Sequence, residues 1–215
     1  MKRFGSFKGL NTIELGAGSG TNSLLFAKRG ADVTVLDYSK KALERSKEFF
    51  RRNNTRANFV LCDALNLDKS LLNKYDVAMS FGTGEHFEGN NRIKIIKSHF
   101  DVLKKGGLTL ICLPNRANLP YMVWKFLSQA TGRWRWGVEI PFSRNELKRI
   151  MALLGREGYF MGDCIFSSFE VLNPWKIVRR ILRIGDRWDL NKIKKQRGTF
   201  LDEYFSPYIT LIGKG

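Results

Sequence analysis

The chain has 215 residues, 43% of them hydrophobic, and its 37 lysines and arginines against 20 acidic residues give a formal charge of +17. That length suits one domain, or one domain with insertions, and the charge favours phosphate, anionic lipid or acidic substrates without bearing on the fold. No stretch reaches the roughly 18 uninterrupted apolar residues of a membrane span, and the start "MKRFGSFKGL" lacks the apolar core of a signal peptide.

In chain order, short apolar runs alternate with segments of helical spacing. Residues 11–15, 32–36, 57–61, 75–80 and 107–113 read as strands, continuous and apolar as in a parallel sheet covered on both faces. Between them, 20–29, 39–52 and 90–104 read as helices, the second opening on Ser39 as N-cap. "LKKGG" at 103–107 reads as the end of the third, lysines in the last turn and glycine beyond. A further helix at 143–155 opens on Ser143 with Glu146 three residues on, a capping box. Two last strands are expected near 159–171 and 208–213. Cys62, Cys112 and Cys164 are scattered through apolar runs, with neither metal spacing nor an even count. They are expected as buried, reduced thiols in a cytoplasmic protein.

The order βαβαβ(α)βαβ is a doubly wound α/β pattern. It places "TIELGAGSGTNS", residues 12–23, at the turn from the first strand into the first helix, at the carboxyl edge of the sheet where ligands bind. Glycine costs stability in regular structure, so three of them at alternate positions imply close approach of a ligand or a turn too sharp for a side chain. The dinucleotide register from Gly16 and Gly18 demands glycine at 21, where Thr21 stands; the spacing present is E-x-G-x-G-x-G. A nicotinamide dehydrogenase therefore fits poorly.

Glu14-Leu15-Gly16-Ala17-Gly18-Ser19-Gly20, "VLDYS", "LCDAL", "YDVAMSFGTGEHF" and "LKKGGLTLICLPN" follow one another in order through about residue 113. In this the sequence resembles the class I S-adenosylmethionine-dependent methyltransferases. The resemblance implies a Rossmann-like seven-stranded sheet, mostly parallel with an antiparallel last strand and helices on both faces. It implies S-adenosyl-L-methionine as cofactor and S-adenosyl-L-homocysteine as product. Gly16, Ala17, Gly18 and Gly20 would then form the cofactor loop, with Glu14 organising it and the cofactor ammonium. Asp37 would hold both ribose hydroxyls, Tyr38 would lie against the adenine, and Asp63 and Ala64 would meet its edge. Ser80 and Phe81 would close the fourth strand beside the methyl. An in-line displacement requires alignment of a nucleophile and exclusion of water, and a proton acceptor where the nucleophile is a hydroxyl or protonated amine. Glu85 and His86 are the candidates, imidazole being suited to proton exchange near neutrality. Glu85-His86 is also similar to the pair of metal-assisted quinone O-methyltransferases, but Gly82 stands where those have a further carboxylate, so no metal is expected. His99, in a helical pattern, reads as structural.

The resemblance implies one domain over residues 1–215 with two insertions that select the substrate. The first, 114–142, interleaves Tyr121, Trp124, Trp134 and Trp136 with lysine and arginine; such residues stack bases, pack an apolar substrate, dock on a membrane or form a local core. The second, 172–206, sets nine basic residues against Asp186 and Asp189 between Lys176 and Arg197. A basic amphipathic helix over 175–197 suits a membrane surface or RNA phosphates. Only about ten residues precede the first strand, so a partner, an oligomer or a longer reading frame is expected to supply the cofactor lid. The expected reaction is methyl transfer to a small-molecule, lipid-linked or glycan-type acceptor. RNA methylation and a non-catalytic cofactor-binding subunit are the alternatives.

Overall fold

The computed structural model describes residues 6–162 and 200–215. Its seven strands are β1 Asn11–Leu15, β2 Asp32–Asp37, β3 Asn58–Leu61, β4 Tyr75–Phe81, β5 Leu103–Pro114, β6 Gly158–Gly162 and β7 Tyr208–Lys214. They form one sheet in the order β3-β2-β1-β4-β5-β7-β6. β1 to β5 pair in parallel, and β7 runs antiparallel to both β5 and β6. The sheet is thus the Rossmann-like one expected. Its order reverses between β1 and β4, which opens a crevice at their carboxyl ends.

Among the described residues six helices accompany the sheet: α1 Thr21–Ala27, α2 Lys40–Arg52, α3 Asn90–Asp101, α4 Leu119–Ala130, α5 Arg144–Leu153 and α6 Phe200–Phe205. Strand pleating sends alternate residues to opposite faces. Val33 and Val35 pack with Leu24, Leu43 and Phe50 of α1 and α2. Leu36 turns the other way, into the cluster of Ile95, Ile96 and Phe100 of α3 and Leu147 and Ile150 of α5. Both faces are therefore covered, which is why the central strands are apolar without alternation. Caps hold where the sequence places them: Ser39 accepts from the Ala42 amide at 3.3 Å and Ser143 from Glu146 at 3.1 Å. Between β3 and β4 only a single 3-10 turn, Lys69–Leu71, intervenes.

One element differs from expectation. "LKKGG" at 103–107 does not end α3; the helix stops at Asp101 and the segment opens β5. Leu103, 2% exposed, pairs with Tyr75, and the register then slips so that Val77 faces Leu108. Burial of Leu103 draws the chain into the sheet, and Lys104 reaches Asp76 at 3.1 Å. β6 is described as far as Gly162; the remainder of the expected 159–171 strand, Cys164, and residues 172–199 of the second insertion lie outside the described residues. So does the basic segment 175–197. Cys62 and Cys112 are half-buried and not the fully buried thiols expected, because each sits at the open carboxyl end of its strand. No described helix is long and apolar enough to cross a membrane.

Candidate functional site

The glycine loop is built by backbone geometry. Gly16, Gly18 and Gly20 have φ of 69°, 54° and 71°, in the left-handed region that a side chain disfavours. The amides of Gly16 and Ala17 both bond the Leu36 carbonyl, at 2.9 and 3.0 Å, lashing the loop to the end of β2. A Cβ on Gly16 would stand 2.5 Å from Thr83 Cγ2, whereas one on Gly18 would meet nothing within 4 Å. The loop is thus pressed against the segment after β4 at Gly16 and open at Gly18. Gly16→Ala is expected to lower stability by about 1–2 kcal/mol from the backbone, with a further loss from the Thr83 collision. Gly18→Ala carries only the first loss, so urea midpoints of the two variants should differ.

Glu14 and Asp37 fasten this loop from below. Glu14, 2% exposed, accepts from the Ser23 amide at 2.9 Å and from the Ser23 hydroxyl, pinning the first turn of α1. Burial pushes its carboxyl up to about 6, against the Ser23 hydrogen bonds. Raised above its unfolded value, the group binds more protons folded than unfolded, so its ionisation costs stability as pH rises from about 4.5 to 6. Glu14→Gln is expected to remove about 2 kcal/mol of that pH-dependent cost, seen as a smaller fall in melting temperature between pH 4.5 and 7.5 than in the unsubstituted chain.

Asp37, 6% exposed, accepts from the Gly18 amide through Oδ2 and from Ser39 through Oδ1, both at 2.8 Å. Each carboxylate oxygen has a second lone pair, so two acceptor positions remain at the crevice for a vicinal diol. Tyr38 beside it is 79% exposed, an aromatic ring with one face available. Ala64 is buried. Asp63 instead closes its own loop, accepting from the Leu65 amide at 2.9 Å and the Asn66 side chain at 2.8 Å. Ser80 is wholly buried in β4, its hydroxyl without a partner among the described residues, so it is not presented to the crevice. The residues from β1, β2 and β3 therefore converge on one edge and fit an adenosyl group: open loop glycine, free carboxylate lone pairs and an exposed ring.

Beyond β4 the chain builds a second space. Phe81, Gly82, Glu85, His86, Tyr121, Trp124, Trp134, Trp136 and Glu139 line a cavity of about 460 Å³, with Asn22 of α1 at the glycine-loop side and Cys112, Pro114 and Tyr208 from the neighbouring strands. The first insertion supplies its aromatic wall. Asn115 donates to the Tyr204 and Ser206 carbonyls at 2.9 and 2.8 Å, and Asn118 donates to the Phe205 carbonyl at 2.6 Å while capping α4. The far end of the insertion is locked to the turn after β4. Ile140 donates to the Glu85 carbonyl at 2.8 Å, and His86 Nδ1 meets the Val138 carbonyl at 2.6 Å. Arg92, 7% exposed, pairs with Glu146 at 2.6 Å, bonds the Ile140 carbonyl and stacks on Phe142 at 3.5 Å.

Glu85 and His86 both line the cavity. Glu85 is 3% exposed, and its Oε2 has no partner among the described residues. Burial pushes this carboxyl up to about 7, aided by Glu139 and opposed by His86 and Arg92. Because a carbonyl only accepts, His86 Nδ1 carries its proton there and Nε2 is the basic nitrogen of the neutral ring. His99, by contrast, is fully buried in α3, bonded to the Ile95 carbonyl at 2.7 Å and held near 4 by burial. Among the described residues no group of three or more histidines, cysteines and carboxylates has the geometry to hold a metal ion. Glu139 and the ordering of the indoles escape the sequence, because nothing local marks which residues of the insertion face inward.

Residues 13–107 match the family described as a methyltransferase domain. Among curated proteins the chain is similar to the ribosomal protein L11 methyltransferase of Thermosipho melanesiensis, 30% identical over 105 residues, 48% of this chain and 38% of that one. It is also similar to the ubiquinone biosynthesis O-methyltransferase of Pelagibacter ubique, 28% identical over 116 residues, 54% of this chain and 46% of that one. The chain spans less than half the length of these curated relatives. A solved SAM-dependent methyltransferase from Archaeoglobus fulgidus superposes with a TM-score of 0.65 over 100% of this chain and 90% of that one, at 17% identity, a likeness of fold. The five ordered motifs, the 3-2-1-4-5-7-6 sheet and the domain match over residues 13–107 agree, so the chain is similar to the class I S-adenosylmethionine-dependent methyltransferases and shares their fold.

Proposed function

We propose that this chain transfers the methyl group of S-adenosylmethionine to a small acceptor held in the aromatic cavity. The observation that carries the reading is the position of that cavity: about 460 Å³, walled by the first insertion and sharing Asn22, Phe81 and Gly82 with the side of the site where the glycine loop lies. Its volume is that of a small-molecule pocket, which favours a small acceptor, or the terminal unit of a lipid-linked or glycan-type one, over RNA.

The cofactor, when bound, supplies a methyl on a sulfonium that needs no metal activation. The backbone of Gly16, Ala17, Gly18 and Gly20 would hold it from below, and Asp37 would accept from the ribose hydroxyls with its remaining lone pairs. Tyr38 would cover the adenine, with Ala64 and Asp63 at its edge, while Glu14 holds the loop in place. The aromatic wall orients the acceptor and excludes water, so that its nucleophilic atom lies behind the methyl. Glu85 takes the proton displaced from that atom, and His86 Nε2 is the second acceptor within the same turn.

Titration of the protein with S-adenosylhomocysteine, with NADH in parallel, tests the cofactor reading. Micromolar binding of the first and none of the second is expected. Incubation with methyl-labelled S-adenosylmethionine and separate pools of small amines, phenols, glycolipids and RNA tests the transfer; label in the RNA pool alone would overturn the small-acceptor reading. Binding of S-adenosylhomocysteine with no transfer to any pool would point instead to a cofactor-binding subunit.

A further inference from the structure

The charge of the cavity is opposite to that of the chain. Lysine and arginine outnumber acidic residues 37 to 20, yet among the described residues neither lines the cavity, and the carboxyl groups that do are Glu85 and Glu139. Beside them stand six aromatic side chains: Phe81, Tyr121, Trp124, Trp134, Trp136 and Tyr208. The three indoles meet at 56–63° with centroids 5.0–5.6 Å apart, so they form angled walls and not a parallel stack. One of them already faces an ammonium: Lys125 Nζ lies 5.2 Å from the Trp134 ring.

Two buried polar atoms on this wall have no partner among the described residues, Glu85 Oε2 and the Tyr121 hydroxyl. A carboxylate only accepts hydrogen bonds and a phenol oxygen also accepts, so each is a ready partner for an N–H donor. Indole faces attract cations, and the attraction grows when the cation is desolvated. An anionic acceptor would face two carboxylates, with His86 the one described lining residue able to carry a positive charge.

Resting on the methyltransferase reading, we propose that the acceptor is a basic amine, bound as its ammonium between the indoles and the carboxylates of Glu85 and Glu139, and that its nitrogen is the atom methylated. Glu85 takes one proton from the ammonium, freeing the nitrogen lone pair. The N–C bond then forms as the C–S bond breaks with its electron pair staying on sulfur, and the product leaves as an N-methylammonium. Proton release from Glu85 to solvent completes the balance. The charged groups acting on Glu85 are His86, Glu139 and Arg92, and Arg92 is already engaged by Glu146.

The test uses three near-isosteric probes, phenethylamine, phenylethanol and phenylacetate, titrated calorimetrically into the chain saturated with S-adenosylhomocysteine. Phenethylamine is expected to bind at least tenfold more tightly than phenylethanol, and phenylacetate not at all. Glu139→Gln, at a half-exposed position, should reduce the preference for the amine severalfold, and the Glu85→Gln, Glu139→Gln pair should abolish it with S-adenosylhomocysteine affinity retained. Labelled methyl from S-adenosylmethionine should appear on phenethylamine and not on phenylethanol. Equal or tighter binding of phenylethanol or phenylacetate overturns the proposal, as does no binding of phenethylamine by protein that binds S-adenosylhomocysteine. Failure to bind S-adenosylhomocysteine overturns the methyltransferase reading itself, and this inference with it.

Discussion

Glu85→Gln is expected to lower kcat for methyl transfer to phenethylamine by about 10²–10⁴-fold, the range for loss of a positioned general base. Affinity for S-adenosylhomocysteine should stay unchanged, since Glu85 lies in the acceptor cavity and not in the glycine loop. The pH profile separates this from a structural effect. With its carboxyl pushed up to about 7 by burial, Glu85 is largely protonated at pH 6 and largely ionised at pH 8. The kcat/KM of the unsubstituted chain should therefore climb through that interval and level off, while the glutamine variant loses the climb. Stability should move the other way. A carboxyl whose folded pKa exceeds its unfolded one costs stability as pH rises through the interval between them, so the variant is expected to be at least as stable as the unsubstituted chain at pH 8. A drop in rate accompanied by a lowered melting temperature at pH 8 would argue against the base.

What the sequence makes legible is what the backbone decides locally. The three alternating glycines announce left-handed turns, and the structure places each in that region; Asp37 announces a strand end, and it lies at the last position of β2. Lysine followed by glycine at 103–107 is a helix-ending pattern, but the same residues serve a strand with a register shift. The pairing of Leu103 with Tyr75, a tertiary contact, decides between them. The cavity is less legible still. Its wall depends on Asn115 and Asn118 reaching residues 204–206 and on Arg92 reaching Ile140, pairings between distant segments that leave no periodic trace. The aromatics of the first insertion are visible in the sequence as a class; that they turn inward around Glu85 follows only from those tethers. Glu139 carries no local signal at all, and becomes notable only when burial brings it to the electrostatic field of Glu85.

Asp37→Ala is expected to weaken S-adenosylhomocysteine binding by about ten- to a hundredfold, the equivalent of the roughly 1.5–3 kcal/mol carried by a hydrogen bond to a charged group. Two losses contribute. The variant removes the lone pairs proposed for the ribose hydroxyls, and it strands the amides of Gly18 and Ser39, which Asp37 now holds at 2.8 Å. The second loss acts on the free protein as well, loosening the loop between β1 and α1 and the cap of α2, so it should appear in the urea midpoint without any ligand. Asp37→Asn divides the two. Its single carbonyl oxygen can keep one of the amides but offers a donor where the second oxygen stood, so it retains part of the loop's anchorage while losing bidentate acceptance. Calorimetric titration and urea denaturation of both variants give four numbers. Binding lost in both variants, with stability largely restored in Asn, assigns the carboxylate to the diol. Binding that tracks stability through the series assigns it to the loop, and the ribose contact would then have to come from another residue at the carboxyl edge of β2 or β3.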